Sequence, residues 1–314
     1  MQKALSDYVR SVRQMQITRP PRDEKLTRQH IVPVSATLLN LVKHHRREAD
    51  AFFAQNLSSD PSDHEFPMDA PDRPSAYPVG CCRQIRDRVW NGLSKDPFIR
   101  SLRRHGLTWK KVYFIHEGRW FQNAIQCGDW MLDAAHDSVD ATDEPVVCAP
   151  LDDFEWENLD DWHRFAEVAA DYYRVTVCPN LYFPLLFPLI PFLAIRESGR
   201  LELLYCQQNL FLLDLSERWR RCMAVLHDRA LMEKSLPPAV EERLMELGGE
   251  GPEPFPVELR KCTAESLEQA LLEWDQIRGL PHRQLVDTLQ NYEKLARLAA
   301  RRLRKADIAV DLPA

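Results

Sequence analysis

The sequence predicts an α+β fold, with a small antiparallel β-sheet of three to four strands surrounded by helices and a helix-rich C-terminal half. Three observations carry this. Residues 110–139, KKVYFIHEGRWFQNAIQCGDWMLDAAHDSV, read as three short strands, 111–116, 119–126 and 129–136. Two-residue turns, Glu117-Gly118 and Cys127-Gly128, join them, with glycine supplying the positive φ that tight hairpins need. Most of the remaining chain, the C-terminal half above all, repeats its apolar residues at helical spacing.

The turns set the expected register. His116 faces Arg119, and Gln126 faces Asp129. Opposed residues share a face, and faces alternate along a strand. One face then carries Val112, Phe114, Phe121, Ile125, Trp130, Leu132 and Ala134, with His116, Arg119 and His136 at one end. The other carries Tyr113, Gln122 and Asp133 in one cross-strand row. A slip of one residue in either turn exchanges the faces of a strand.

The helices follow in order. Residues 1–18 form a short amphipathic helix, which ITRPPRDEK interrupts because paired prolines cannot continue it. Residues 34–56 form a longer helix. Residues 58–78, rich in Pro, Asp and Ser, form a loop or linker. A helix opens near Cys81-Cys82 with Ile85, Val89, Trp90 and Leu93 as its buried stripe, and residues 97–105 form another. Residues 146–148 add a fourth strand. Residues 159–173 are helical. The apolar run 181–195, broken by Pro184, Pro188 and Pro191, is too short to span a bilayer and reads as extended or broken-helix core. Residues 201–205 are a strand, and 209–231, 237–247, 263–278 and 281–305 are helices. The regions are therefore 1–57, helical; 58–78, linker; 79–150, helix plus sheet; and 151–314, helix-rich and packed on the same core.

The chain has 314 residues, a net charge of −6 and 45% hydrophobic residues, ordinary values for a globular protein. Charge is segregated. Twelve acids and no Lys or Arg lie in 129–161, while nine bases lie in 83–111. Eight cysteines without CxxC pairs exclude a zinc site or disulfide framework of the usual spacing. The N-terminus lacks a continuous apolar segment of the secretory kind. The expectation is a reduced, cytoplasmic protein without a transmembrane segment. The net charge speaks against nucleic acid, although the basic face of 294–305 is of a kind that binds anionic partners. No cofactor motif is present, neither a Walker A nor a G-x-G-x-x-G, and the clustered Asp129, Asp133, Asp137 and Asp140 lack EF-hand spacing, so no metal or cofactor is expected.

Cys81 and Cys82 sit at a predicted helix N-terminus beside Arg83 and Arg86. Helix dipole and bases favour a thiolate there. Gly80 and Cys82 form a G-x-C, and Trp130 and Asp133 a W-x-x-D on a following strand. With the strands between them, they resemble the core of the transglutaminase-like branch of the papain-like cysteine superfamily, over roughly residues 77–140. The resemblance implies Cys82 as nucleophile and Asp133 as orienting carboxylate. It also implies a histidine opposite Asp133, where the expected register places Gln122. Glutamine cannot accept the thiol proton. Either another histidine, such as His105 or His163, reaches the cysteine, or the fold is kept without its activity.

Two functions follow. The first is a cysteine-dependent acyl-transfer or amide-hydrolysing protein acting on a small-molecule or protein substrate. Its catalytic residues would be Cys82, Asp133 and Gln122, with Gln122 in the base position or donating to an oxyanion. Cys81, Tyr113, His116, Arg119 and His136 would line its substrate site, the last three as cationic donors able to hold a carboxylate or phosphate. The second is a non-catalytic scaffold or regulatory protein with a protein partner.

Overall fold

A computed structural model describes residues 3–56, 77–206, 209–248 and 255–306, so most of the expected 58–78 linker lies outside the described residues. The fold is α+β, with two separate antiparallel sheets. The chain divides into two compact units, one holding residues 13–56 and 77–159 and the other residues 3–12 and 160–306 of the described chain. Helix α1 (Lys3–Gln14) runs across that division.

The expected break at ITRPPRDEK is present, since α1 ends at Gln14, and the paired prolines then open the next helix. Helix α2 (Pro21–His30) takes Pro20 as its N-cap and Pro21 as its first residue, with Asp23 and Glu24 in the first turn. Proline loses nothing at that position, because the first N–H groups of a helix have no partner. Helix α3 (Ser35–Asn56) follows, then α4 (Cys82–Lys95) and α5 (Pro97–Arg103). The predicted stripe of α4 is present: Ile85, Val89 and Leu93 are fully buried. Asp96 caps α5 by accepting from the backbone N–H of Phe98, 2.7 Å, and Ile99, 3.3 Å.

The sheet of this unit has five strands, β1 (Trp109–His116), β2 (Trp120–Cys127), β3 (Trp130–Asp133), β4 (Val147–Pro150) and β5 (Trp156–Glu157), in the order β4-β3-β2-β1-β5. Three strands and the fourth match expectation. The two-residue β5 has too little pattern to find in sequence.

Both turns differ from the expected ones. His116 pairs with Trp120 rather than facing Arg119, because both Glu117 and Gly118 take positive φ and Arg119 completes a three-residue loop. Cys127 pairs with Trp130 around Gly128-Asp129, so Gln126 faces Met131 rather than Asp129. Gly128, at φ 59°, turns the chain where a Cβ would collide with Thr27. The first change is a slip by one residue and exchanges the faces of β1 relative to β2. The second moves β3 by two and keeps its face. Tyr113 therefore pairs with Asn123, and Phe114 with Gln122.

One sheet face, with Ile125, Cys127 and Leu132, packs against α3, α4 and α5. The other, with Val112, Phe114, Ala124 and Met131, packs against Ile17 and Leu151. The start of the sheet-following acidic segment is clamped to α3. Arg46, 3% exposed, donates to both oxygens of Asp137 (2.8 and 2.9 Å), to Asp50 (2.7 Å) and to the carbonyls of Ala134 and Pro145. Burial alone lowers the proton affinity of the guanidinium, and the bonds to Asp137 and Asp50 more than reverse it.

The other unit holds α6 (Trp162–Tyr173), β6 (Val175–Pro179), β7 (Phe192–Arg196), β8 (Leu201–Leu204) and the helices α7 (Asn209–Ser216), α8 (Arg220–His227), α9 (Arg229–Met232), α10 (Pro238–Leu247), α11 (Ala264–Trp274) and α12 (His282–Ala306). Strands β6, β7 and β8 form one antiparallel sheet. The single helix expected over 209–231 is three. Arg218 and Trp219 take positive φ between the first two, and buried Asp214 caps α8 by accepting from the N–H of Arg221 and Cys222.

Candidate functional site

Gly80 enters α4 at φ 76°, a conformation glycine tolerates, and its N–H donates to the Ser138 carbonyl at 2.9 Å. Cys81 is the N-cap and half-buried, and Cys82 is the first helical residue. The helix start that the sequence assigns to these two cysteines is therefore present. The Cys82 side chain enters the apolar layer under α4, where the residue is 8% exposed among Ile85, Val89, Ile125 and Leu132.

The sulfur meets an amide there. Asn123 Nδ2 donates to Cys82 Sγ at 3.2 Å. Asn123 is held in turn by Arg86, whose Nη1 donates to Asn123 Oδ1 at 2.5 Å and to the Val112 carbonyl at 3.2 Å. Arg86 lies one helical turn after Cys82, so both reach the same strand. Asp87 pairs with Arg86 at 2.9 Å and with Lys111 at 3.1 Å. An amide donor orients the sulfur, but it cannot take the thiol proton. The sequence signal for Arg86 was its i+4 spacing from Cys82. Asn123 was missed because the resemblance points to Gln122 and Asp133, which lie on the other face of the sheet.

Gln122 and Asp133 are together, as expected, but on the opposite face from Asn123. Gln122 Nε2 donates to Asp133 Oδ2 at 2.9 Å and to the Ala135 carbonyl at 3.0 Å. Asp133 Oδ1 accepts from the Ala135 N–H at 2.9 Å, and His136 Nδ1 lies 3.4 Å from Asp133 Oδ2. The His116 ring centre is 5.7 Å from that of His136, and its Nδ1 is 3.0 Å from the Glu155 carbonyl. Gln122, Asp133, His116 and His136 thus form one polar group. Arg119 lies over the Trp120 ring at 5.1 Å, and Tyr113 stacks on Phe121 on the face of Asn123. Tyr113 does not share the row of Gln122 and Asp133, because of the slip in the first turn.

The two alternative histidines have other partners. His105 stacks on His30 with ring centres 3.8 Å apart, and His163 Nε2 lies 3.2 Å from Asp228. The acidic cluster is also engaged: Asp137 with Arg46, Asp133 with Gln122, and Asp140 with Thr142. Among the described residues, the group with metal-ligand spacing is His44, His45 and Glu48, which the sequence reading passed over.

The hydrogen bond to Asp133 raises the His136 pKa above its ordinary value, against the opposing effect of burial. A raised folded-state value means that this contribution to stability is complete below about pH 6.5, the unfolded value, and is lost as pH rises through the folded one. In a pH series of urea midpoints, the advantage of wild type over His136→Gln should shrink above that pH. A constant difference would contradict the pairing.

No known protein family matches this chain. Neither a curated protein nor a solved structure matches it significantly. Among the described residues, no helix is long and apolar enough to cross a membrane.

Proposed function

We propose that this chain is a non-catalytic scaffold or regulatory interaction protein that keeps a helix-on-sheet unit without a working triad. One observation carries the reading. Asn123 holds the Cys82 sulfur on the α4 face of the sheet, while Asp133, Gln122 and His136 are bonded to one another on the other face. A nucleophile, base and orienting carboxylate act only when they are bonded in sequence. Here the carboxylate and imidazole are paired, with the sheet between them and the thiol. The buried bonds of Arg46, Arg86 and Gln122 make the unit a rigid platform.

A scaffold of this kind calls for a protein partner. The second unit also has a cleft of about 500 Å³ lined by Leu185, Glu265, Glu273, Trp274, Ile277 and Tyr292, a size that suits a small molecule. A reducing, cytoplasmic setting suits eight cysteines of which none is in a disulfide.

The competing reading, cysteine-dependent acyl transfer or amide hydrolysis, is tested by turnover of a panel of esters and amides by wild type and Cys82→Ala. The expected result is the same background rate for both. Turnover present in wild type and lost in Cys82→Ala would overturn the proposal.

A further inference from the structure

We propose that His44, His45 and Glu48 of α3 form a binding site for a divalent transition-metal ion of the Zn²⁺ or Co²⁺ class. Three observations on the helix surface support it.

The first is spacing. His44 and Glu48 are one turn apart, and His45 and Glu48 are three residues apart, so Glu48 neighbours both histidines on the α3 surface. Their ligand atoms all lie within 4.8 Å of one another. The Glu48 carboxylate sits between the two imidazoles, with Oε2 2.7 Å from His45 Nδ1 and Oε1 3.6 Å from His44 Nε2. A tetrahedral ion with bonds of about 2.0–2.1 Å separates its ligand atoms by roughly 3.3 Å. The two contacts go to different carboxylate oxygens, and the three ligand atoms lie within 4.8 Å of one another, so side-chain rotation of exposed His44 and Glu48 is what brings the set onto one ion.

The second is a built seat for His45. Its side chain is 13% exposed, and its ring lies against Gly92 of α4, where a Cβ would collide with the imidazole. Glycine at 92 is the notch that allows the ring to lie there. Nδ1 is the ring atom that faces Glu48; on ligation the ring proton moves to Nε2, which is enclosed and makes no hydrogen bond, a cost that the metal bonds must exceed. One ligand is thus fixed by packing. The other two, more than half exposed, can adjust.

The third is chemistry. Two imidazoles and a carboxylate are a ligand set that borderline divalent ions prefer over Mg²⁺ or Ca²⁺, which take oxygen. Arg88 acts on Glu48 and opposes a cation, but its guanidinium is stacked over Phe52 at 3.6 Å. Three protein ligands leave at least one coordination position to water or to a group from a partner.

The test is titration of the reduced, full-length chain with Co²⁺. Eight thiols compete for metal, and optical spectra separate the two kinds of site, because thiolate ligation adds an intense near-ultraviolet charge-transfer band that nitrogen and oxygen ligands lack. The expected result is one bound equivalent with visible bands only. Binding should weaken in His44→Ala and in Glu48→Gln by more than the roughly 10–100-fold that follows loss of an outer-shell partner. Both side chains are exposed, so unchanged circular dichroism confirms folded variants. No saturable binding, an equivalent that persists in both variants, or a thiolate band on that equivalent would each overturn the proposal.

Discussion

Arg46→Ala should destabilise the unit with the five-stranded sheet by about 3–5 kcal/mol, the cost of removing one partner from a buried ion pair. Asp137 would be left 5% exposed and without its bidentate partner. The carbonyls of Ala134 and Pro145 would lose their donor as well. Together these hold the segment after β3 against α3. The pair Arg46→Met with Asp137→Leu separates the two sources of the loss. Replacing both charges with apolar groups is often neutral or stabilising, so the double variant should recover the part of the loss due to unpaired Asp137, while the Ala134 and Pro145 carbonyls stay without their donor. Urea unfolding of all three chains measures this. An Arg46→Ala midpoint at the wild-type position would show that the clamp does not contribute to stability.

Asp133→Ala should cost about 3 kcal/mol, because it strips acceptors from the buried Ala135 N–H and from Gln122, at about 1–3 kcal/mol for an orphaned group. Gln122 keeps the Ala135 carbonyl, which limits the loss. Asp133→Asn keeps one acceptor oxygen and should cost less. The same variants bear on function. If Asp133 served Cys82 through a relay, its removal would change cysteine reactivity. With the sheet between them, the alkylation rate of Cys82 should be the same in Asp133→Asn and wild type, while the unfolding midpoint falls.

The helices with continuous stripes were legible because burial imposes the period: Ile85, Val89 and Leu93 specify the inner face of α4 without reference to anything else. The hairpin strands were legible for the same reason. What sequence could not give was the one-residue slip at Glu117-Gly118. A non-glycine residue at positive φ, Glu117 at 51°, has no composition signal, and the resulting loop decides which face Tyr113 and the β1 residues occupy. That slip moved Tyr113 out of the row of Gln122 and Asp133. It paired Tyr113 with Asn123 instead. Gln122 and Asp133 were expected to meet, and they do, since a shift of two residues in β3 preserves its face. The proline pair at Pro20-Pro21 was read as interrupting the first helix, which does stop at Gln14; that the same pair opens α2 was not read, because proline has opposite effects inside a helix and at its first residue. The break at Trp219 depends on buried Asp214, which captures the N–H groups of the next helix. Such a capping bond depends on tertiary placement, not on local pattern. Arg46 is a similar case: its partners lie 88 to 99 residues away along the chain, at Ala134, Asp137 and Pro145.

The measurement that bears most directly on Cys82 is its alkylation rate as a function of pH in the native protein, read by mass spectrometry, with Cys81 in the same spectrum as control. The account expects Cys82 to react slowly across the range and to become fast only in denaturant, with the more exposed Cys81 reacting first. Selective labelling of Cys82 in the folded chain, half-complete well below pH 8, would show an accessible, activated thiolate and contradict a structural cysteine.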